Sequence, residues 1–323
     1  MAAIPLFSLF LLALAASFSA AEDSAAMTEL RTGLIPNPSG WAAQSDYCHW
    51  PGVQCDSSRS VTAIDLASRS LSGSLHAVRN LTELARLRLA DNRFSGRLPD
   101  FSGCTALTEL DLRGNAFTGP VVVTAMPPAL KNLSLDGNYL QGALPEFGSR
   151  SVGVSLNNNS FCKTSPGNCD PQVLALLGVA EGFGFPLVLA QAWRGNNACQ
   201  WELINCDHSG NVATITLINH DFRGGLISPE LSQLRYLSCL TLKGNDLRRY
   251  VPERLGDLPQ LKSLDLSEND LFGELPAFRS DVVVVTSGNA FLRPAAAEDS
   301  SPAPPRPSTG AGCWGSSMIM GEW

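Results

Sequence analysis

An α/β repeat fold, a curved leucine-rich-repeat solenoid in two blocks, is what this sequence predicts. Three observations predict it. A leucine frame with an asparagine at one fixed place recurs along the chain, two runs of that frame each follow a cysteine pair of equal spacing, and a non-repeat island separates the runs. The frame is clearest at Leu84, Leu87, Leu89, Asn92, Phe94, Gly96, Leu98 and Pro99. It returns at Leu107, Leu110, Leu112, Asn115, Phe117 and Gly119, then at Leu130, Leu133, Leu135, Asn138, Leu140 and Gly142, with a shorter copy at Val154, Leu156, Asn159 and Phe161. Farther on, Leu237, Leu240, Leu242, Asn245 and Leu247 match it, as do Leu261, Leu264, Leu266, Asn269, Leu271 and Gly273, before a degenerate copy at Asn289 and Phe291.

The physics behind the frame is simple. Leu-x-Leu alternation makes a short strand with one buried face, and each buried Leu contributes about 1.5–3 kcal/mol. A single coil has nothing to bury its leucines against except its neighbours, so coils stack. The Asn turns inward to satisfy backbone groups, which would cost about 1–3 kcal/mol each if stranded. The Gly permits the bend away from the strand.

From the N-terminus, residues 1–21 read as a signal peptide. An apolar stretch from Ile4 to Phe18 is followed by Ser19-Ala20-Ala21, a small-x-small cleavage site that leaves Glu22 first in the mature chain. The stretch is short for a membrane span, which needs about 20 apolar residues. No later stretch is longer. Residues 22–60 form an N-terminal cap: Met27, Leu30 and Leu34 at helical spacing, then Trp41, Cys48, Trp50, Gly52, Val53 and Cys55. Residues 61–161 are the first repeat block, 162–211 the island with a second cysteine cap, and 212–292 the second block. In the island Asp170-Pro171 supplies an N-cap and a first-turn proline. Val173, Leu174, Leu176 and Leu177 continue the helix toward Trp193, Cys199, Trp201, Ile204 and Cys206. Residues 293–323 read as a disordered Pro/Ser-rich tail.

The opening coil of each block lacks the Asn, with Arg69 and His220 in its place. A terminal coil has no preceding turn to satisfy, so His220 reads as structural. Cys48 with Cys55, Cys162 with Cys169 and Cys199 with Cys206 are each separated by six residues, and after an export signal they read as three local disulfides. Zinc is the competing reading, although the two-residue spacing of zinc knuckles is missing. Cys104 and Cys239 lie inside repeats and read as small buried thiols; Cys313 is left over.

The net charge of -7 and the pI near 5.1 argue against nucleic acid as a partner, since phosphate binding needs a basic stripe. His49, His76, His208 and His220 are scattered, with no nucleophile–base pattern. No catalytic, metal or cofactor-binding residue is expected.

The Trp…Cys-x-Trp-x-Gly-Val-x-Cys cap and the Leu-x-Gly-x-Leu-Pro repeat resemble plant leucine-rich-repeat receptor kinases. A second Cys-rich island between repeats resembles the ectodomain of the TMK (transmembrane kinase) family. Cys169-Asp170-Pro171-Gln172-Val173, Trp193-Arg194-Gly195-Asn196 and Phe278-Arg279-Ser280-Asp281-Val282-Val283-Val284 carry that likeness, which covers about residues 22–292. Two positions depart from the pattern: Leu203 stands where the first cap has Gly52, and Arg249 occupies a repeat's Gly position, which would reshape that turn. The sequence contains no Gly-rich phosphate loop, Val-Ala-Ile-Lys-like strand or His-Arg-Asp loop, so kinase activity is not carried over.

The resemblance implies an extracellular protein-interaction module in hormone-linked cell-surface signalling, taking a protein or peptide ligand or a receptor-kinase co-receptor. Two other readings stay open: a truncated reading of a full transmembrane Ser/Thr receptor kinase, which would sit at the plasma membrane, and a soluble wall-enzyme inhibitor in the apoplast. The residues beside the strand leucines should face the concave side. In the first block these include Arg86, Arg88, Asp91, Glu109, Asp111, Arg113 and Asp136, a mixed-charge patch suited to peptides. In the second they are mostly small or apolar, among them Thr214, Thr216, Ile218, Thr241 and Val283, suggesting a less polar surface. Asn80, Asn132 and Asn158 head the three Asn-x-Ser/Thr sites with a permitted middle residue, the latter two expected near the concave rim.

Overall fold

The structure, a computed structural model, describes residues 22–148, 151–222 and 225–294. The signal-peptide stretch and most of the tail lie outside the described residues. Contacts divide the chain into two units between Gly167 and Asn168, inside the non-repeat island rather than at its edge.

In the first unit a helix over residues 22–33 (α1) buries Ala26, Met27 and Leu30. It stops at Gly33. Leu34, grouped with the helix by its spacing, instead pairs with Gly73 in a two-residue antiparallel bridge. A six-stranded sheet follows. Its strands are β1 (Val53–Cys55), β2 (Val61–Asp65), β3 (Arg86–Arg88), β4 (Glu109–Asp111), β5 (Asn132–Ser134) and β6 (Gly153–Ser155). The β1–β2 pair is antiparallel and the others are parallel, with Ile64, Leu87, Leu110, Leu133 and Val154 in one register. All of these but Val154 are buried; Val154 lies on the edge strand, with no further coil of the unit over it. A second short parallel sheet joins Ser95–Arg97, Ala116–Gly119 and Tyr139–Leu140. Between the two sheets Phe94 and Phe117 stack at 6.3 Å.

The asparagines tie the coils together. Asn115 accepts from the Phe94 N–H of the preceding coil at 3.0 Å and donates to the carbonyls of Leu89 and Leu112, both at 3.0 Å. Asn92 does the same with Leu71, Leu66 and Leu89, and Asn138 with Phe117, Leu112 and Leu135. One amide thus satisfies groups on two adjacent coils in a place water does not reach. The residue just before each of these asparagines is left-handed: Asp91, Gly114, Gly137, and Asn158 before Asn159. Asp, Asn and Gly tolerate that conformation best.

The second unit repeats this plan. Two helices, α2 (Pro171–Gly182) and α3 (Leu187–Ala192), come first. Asp170 caps α2, accepting from the Gln172 N–H at 2.8 Å. The single helix expected here is broken, because Gly184 and a left-handed Phe185 precede Pro186. Leu174 is largely exposed, unlike Val173, Leu176 and Leu177. The five-stranded sheet runs β7 (Ile204–Cys206), β8 (Val212–Thr216), β9 (Cys239–Thr241), β10 (Ser263–Asp265) and β11 (Val283–Val285), antiparallel only at β7–β8. Asn245, Asn269 and Asn289 continue the ladder. Arg249 does not reshape its turn: it keeps the left-handed backbone (φ 89°) of Gly273 (φ 91°) with an exposed side chain. Leu203 likewise holds φ 70°, where Gly52 has 92°. Both hold a conformation that costs an L-residue about 1–2 kcal/mol.

The two caps correspond residue by residue. Cys48–Cys55 and Cys199–Cys206 are disulfides with Cα atoms 5.5 Å apart, and Cys162 and Cys169 are each disulfide-bonded. Trp41 stacks on Trp50 at 4.8 Å and Trp193 on Trp201 at 5.4 Å. Each antiparallel pair carries one irregularity, at Gln54/Cys55 and Asn205/Cys206. The first N–H of each following strand finds a side-chain acceptor on the cap helix. Val61 donates to Asp23 at 2.7 Å, and Val212 to Gln172 at 2.6 Å.

Two outcomes follow from these contacts. Asn115→Ala strands the Phe94 N–H and takes one donor each from the Leu89 and Leu112 carbonyls, so it should destabilise the first unit by about 1–3 kcal/mol. Arg113→Ala, in the same coil but exposed, should stay within about 0.5 kcal/mol; urea unfolding of both variants compares them. The second concerns Asp23, whose carboxyl burial raises above its ordinary 3.8, against the lowering effect of the Val61 hydrogen bond. A raised carboxyl favours the protonated form in the folded state. Its contribution is complete below 3.8 and is lost as pH rises through the raised value. Asp23→Asn keeps an oxygen acceptor without the charge. It should therefore be more stable than wild type at neutral pH and lose that advantage below 3.8, as read from melting temperatures across the acid range.

Candidate protein-binding face

The strands of the first sheet turn their leucines inward and their alternate residues outward. Register then sets the outward residues in columns. Arg86, Glu109 and Asn132 lie side by side, and Asp65, Arg88, Asp111 and Ser134 form the neighbouring column. Opposite charges alternate along both. Arg88 donates to Glu109 Oε1 from Nε at 2.8 Å and from Nη2 at 2.7 Å, and its Nη1 lies 3.9 Å from Asp65. Arg86 donates to Gln54 Oε1 at 3.0 Å. The Arg113 guanidinium sits 3.6 Å from Asp111. Asp65, Arg88, Glu109, Asp111 and Arg113 line an open depression of about 510 Å³, together with Asn132 and Ser134.

Five of the expected face residues, Arg86, Arg88, Glu109, Asp111 and Arg113, are brought together on this sheet. The other two stand apart. Asp91 occupies the left-handed turn before Asn92 instead of a strand; it edges the depression, and a Cβ on Gly114 would come within 2.3 Å of its carboxylate. Asp136 is engaged elsewhere, accepting from Ser155 Oγ, the Asn157 N–H and the Asn157 amide at 2.7–2.8 Å. Burial acts to raise its carboxyl, but those hydrogen bonds outweigh it and hold the group below the usual carboxylate range. Asp111 is also more sheltered than a solvent-facing residue, its side chain 15% exposed.

The open face of the second sheet carries mostly small or apolar side chains, with Asp265 as its one charge on the strands. Ser263 and Asp265 lie on it with Thr241, and Asp265 accepts from the Ser267 N–H at 2.9 Å and the Ser267 hydroxyl at 2.6 Å. Cys239 is no free thiol; it is disulfide-bonded. Cys104 is free and buried, and burial pushes its thiol up to about 12, so it is unreactive. His220 stacks on Phe222 at 5.4 Å, and burial lowers its pKa.

One surface went unforeseen. In the second unit Tyr250, Phe272 and Phe291 stand exposed beside Arg248, Asp270 and Arg293 around a depression of about 880 Å³. Tyr250 meets Phe272 edge-on at 4.8 Å, and Phe272 pairs in register with Phe291. Aromatics flanking the frame's Gly position were the available signal. Phe291 also fits the frame's buried place, yet is 71% exposed in the last described coil.

Among the described residues no cluster of His, Cys, Asp or Glu could hold a metal ion, and no helix is long and apolar enough to cross a membrane. The leucine rich repeat N-terminal domain matches the chain twice, at residues 20–56 and 169–207, and the leucine rich repeat matches residues 260–280. The matched segments are leucine rich repeats and their N-terminal domains. The repeat chain is 47% identical over 109 residues to the receptor-like kinase TMK4 of Arabidopsis thaliana, a match spanning 33% of this chain and 12% of that one. It is 40% identical over 102 residues to the receptor protein kinase WSS1 of Oryza sativa subsp. japonica, spanning 31% and 11%. A crystal structure of the Arabidopsis receptor kinase HAESA in complex with the peptide hormone IDA and the co-receptor SERK1 aligns over 84% of this chain and 50% of that one, at 22% identity and a TM-score of 0.41.

Proposed function

We propose that this protein is an extracellular receptor-type binding module, and that the open face of its first sheet takes a charged peptide or protein segment in cell-surface signalling. The observation that carries the reading is the alternation Asp65, Arg88, Asp111, with Glu109 and Arg113 beside it, on strands whose register the core fixes. Ion pairs at such an exposed face contribute little to stability, about 0–1 kcal/mol. They are therefore free to exchange partners with an incoming chain, and mixed charge selects its sequence. The same reading takes the chain as two separately capped blocks. Secretion fits the leader sequence and the cap disulfides. The receptor-type relatives support a signalling role over a wall-enzyme inhibitor.

A displayed peptide library selected on the secreted protein tests the face. Peptides so selected should bind Arg88→Glu at least about tenfold more weakly, a loss of about 1.4 kcal/mol, with the melting temperature unchanged. Equal binding to both proteins would remove the first sheet from consideration.

Glycosylation at Asn80, Asn132 and Asn158 belongs to the same proposal; all three side chains are exposed. Asn132 is not at the rim but on β5, lining the depression beside Glu109 and Asp111. A glycan there would stand inside the binding face. Asn132→Gln should consequently run at lower mass on a gel than wild type and bind the selected peptides more tightly. A variant of unchanged mass would show that this asparagine carries no sugar.

A further inference from the structure

A second, shorter parallel sheet in the second unit joins Arg248–Arg249, Asp270–Glu274 and Phe291–Arg293. Its last pairing differs from the others of its kind. Elsewhere the residue two places after the asparagine stands opposite the frame's Gly position in the coil before: Phe117 opposite Gly96, Leu140 opposite Gly119, and Leu271 opposite Arg249. All three are buried. Phe291 holds the same place after Asn289, yet it stands opposite Phe272, one residue short of Gly273. A slip of one residue turns a strand's side chains to the other face. Phe291 is thereby carried out of the core and stands 71% exposed beside Phe272.

The neighbouring coils are shaped to match. The Tyr250 ring lies over Gly273, where a Cβ would come within 2.6 Å of Tyr250 Cδ1. Glycine there makes room for the ring as well as holding the left-handed turn. Three aromatic side chains from three successive coils thus wall the 880 Å³ depression, and all three are exposed. The asparagine ladder fixes the backbone beneath them, so little order is lost when a ligand docks. An exposed apolar patch of this kind marks a contact surface.

The charges around it are unequal. Arg248 is engaged by Asp270 at 3.2 Å and by Asp246 at 3.4 Å. Arg293 lines the same depression, and among the described residues no carboxylate pairs with it. The site therefore offers aromatic rings and one unpaired guanidinium. A sugar, whose hydroxyls each need a polar partner, is served poorly by such a lining. An apolar side chain next to a carboxylate is served by both parts of it.

We propose that this depression is a second binding site, which takes an extended peptide segment carrying an aromatic or proline residue beside an Asp or Glu. The apolar side chain packs among Tyr250, Phe272 and Phe291, and its acidic neighbour accepts hydrogen bonds from the Arg293 guanidinium. The site does not depend on the first sheet, whose alternating charges select a different ligand.

The test selects a displayed library of random peptides on the whole chain secreted from eukaryotic cells. Peptides joining an acidic residue to an aromatic or proline should be enriched. They should bind Phe291→Ser and Arg293→Glu about tenfold more weakly than wild type, and Arg88→Glu as well as wild type. Melting temperatures should not change, because both side chains are exposed. Exchanging the acid of such a peptide for Lys should restore binding to Arg293→Glu, which a general loss of structure could not do. A selection in which no peptide distinguishes wild type from Phe291→Ser overturns the proposal. So does a panel of acidic oligosaccharides that needs Phe291 to bind when no peptide does. Should Phe291→Ser fail to fold, Tyr250→Ser, on a different coil, carries the same expectation.

Discussion

The rest of the structure depends on one side-chain amide per coil. A repeat whose strand has only three residues cannot satisfy its own turns, and its leucines alone would leave the turn backbone buried and unpaired. The asparagine supplies what is missing. Its oxygen serves the N–H of one coil and its nitrogen the carbonyls of two, so a short coil becomes stable only as a member of a stack. The open face is a by-product of this arrangement. Because the core and the ladder fix the backbone, the outward positions are free to vary and are held in columns when they do.

Much of this was legible in the sequence, and the parts that were not have physical reasons. The Leu-x-x-Leu-x-Leu-x-x-Asn frame located the strands β3, β4, β5, β9 and β10, because its period is imposed by burial, while β1 and β7 belong to the caps. The face residues followed wherever they lay between two frame leucines, as with Arg88 and Glu109. Asp91 and Asp136 lie outside that interval: Asp91 sits in a left-handed turn, and Asp136 is bonded to Ser155 and Asn157 of the next coil. Spacing along the chain says nothing about this. Leu34 and the break before Pro186 escaped for a related reason: hydrophobic spacing continues across a change of backbone conformation. The exposed aromatics and the bonding of Cys239 depend on which coils are adjacent or which surfaces are covered, and neither property belongs to a single repeat.

The comparison of the caps separates what the scaffold requires from what it tolerates. Both need a stacked tryptophan pair, a local disulfide and an acceptor for the first N–H of the sheet. The acceptor is an acid in one and an amide in the other, so the cap of Asp23 loses stability as its carboxyl ionises, whereas that of Gln172 does not titrate. At the tight turn before each sheet, glycine in one cap answers to Leu203 in the other. Enough stability evidently surrounds that turn to hold a branched side chain in a left-handed conformation.

The ladder also has a direction. Each asparagine reaches back to the coil before it and never forward, so Asn115 serves Phe94 and Asn138 serves Phe117. The stack is therefore polar in the way a growing filament is. Its beginning must be closed by a foreign element, which is the task of the cap. At its other end a new coil brings its own amide and docks without altering anything already in place. Lengthening by whole coils at the trailing end is the cheap route for such a chain, and an insertion of any other length would misalign the amides of every coil that follows.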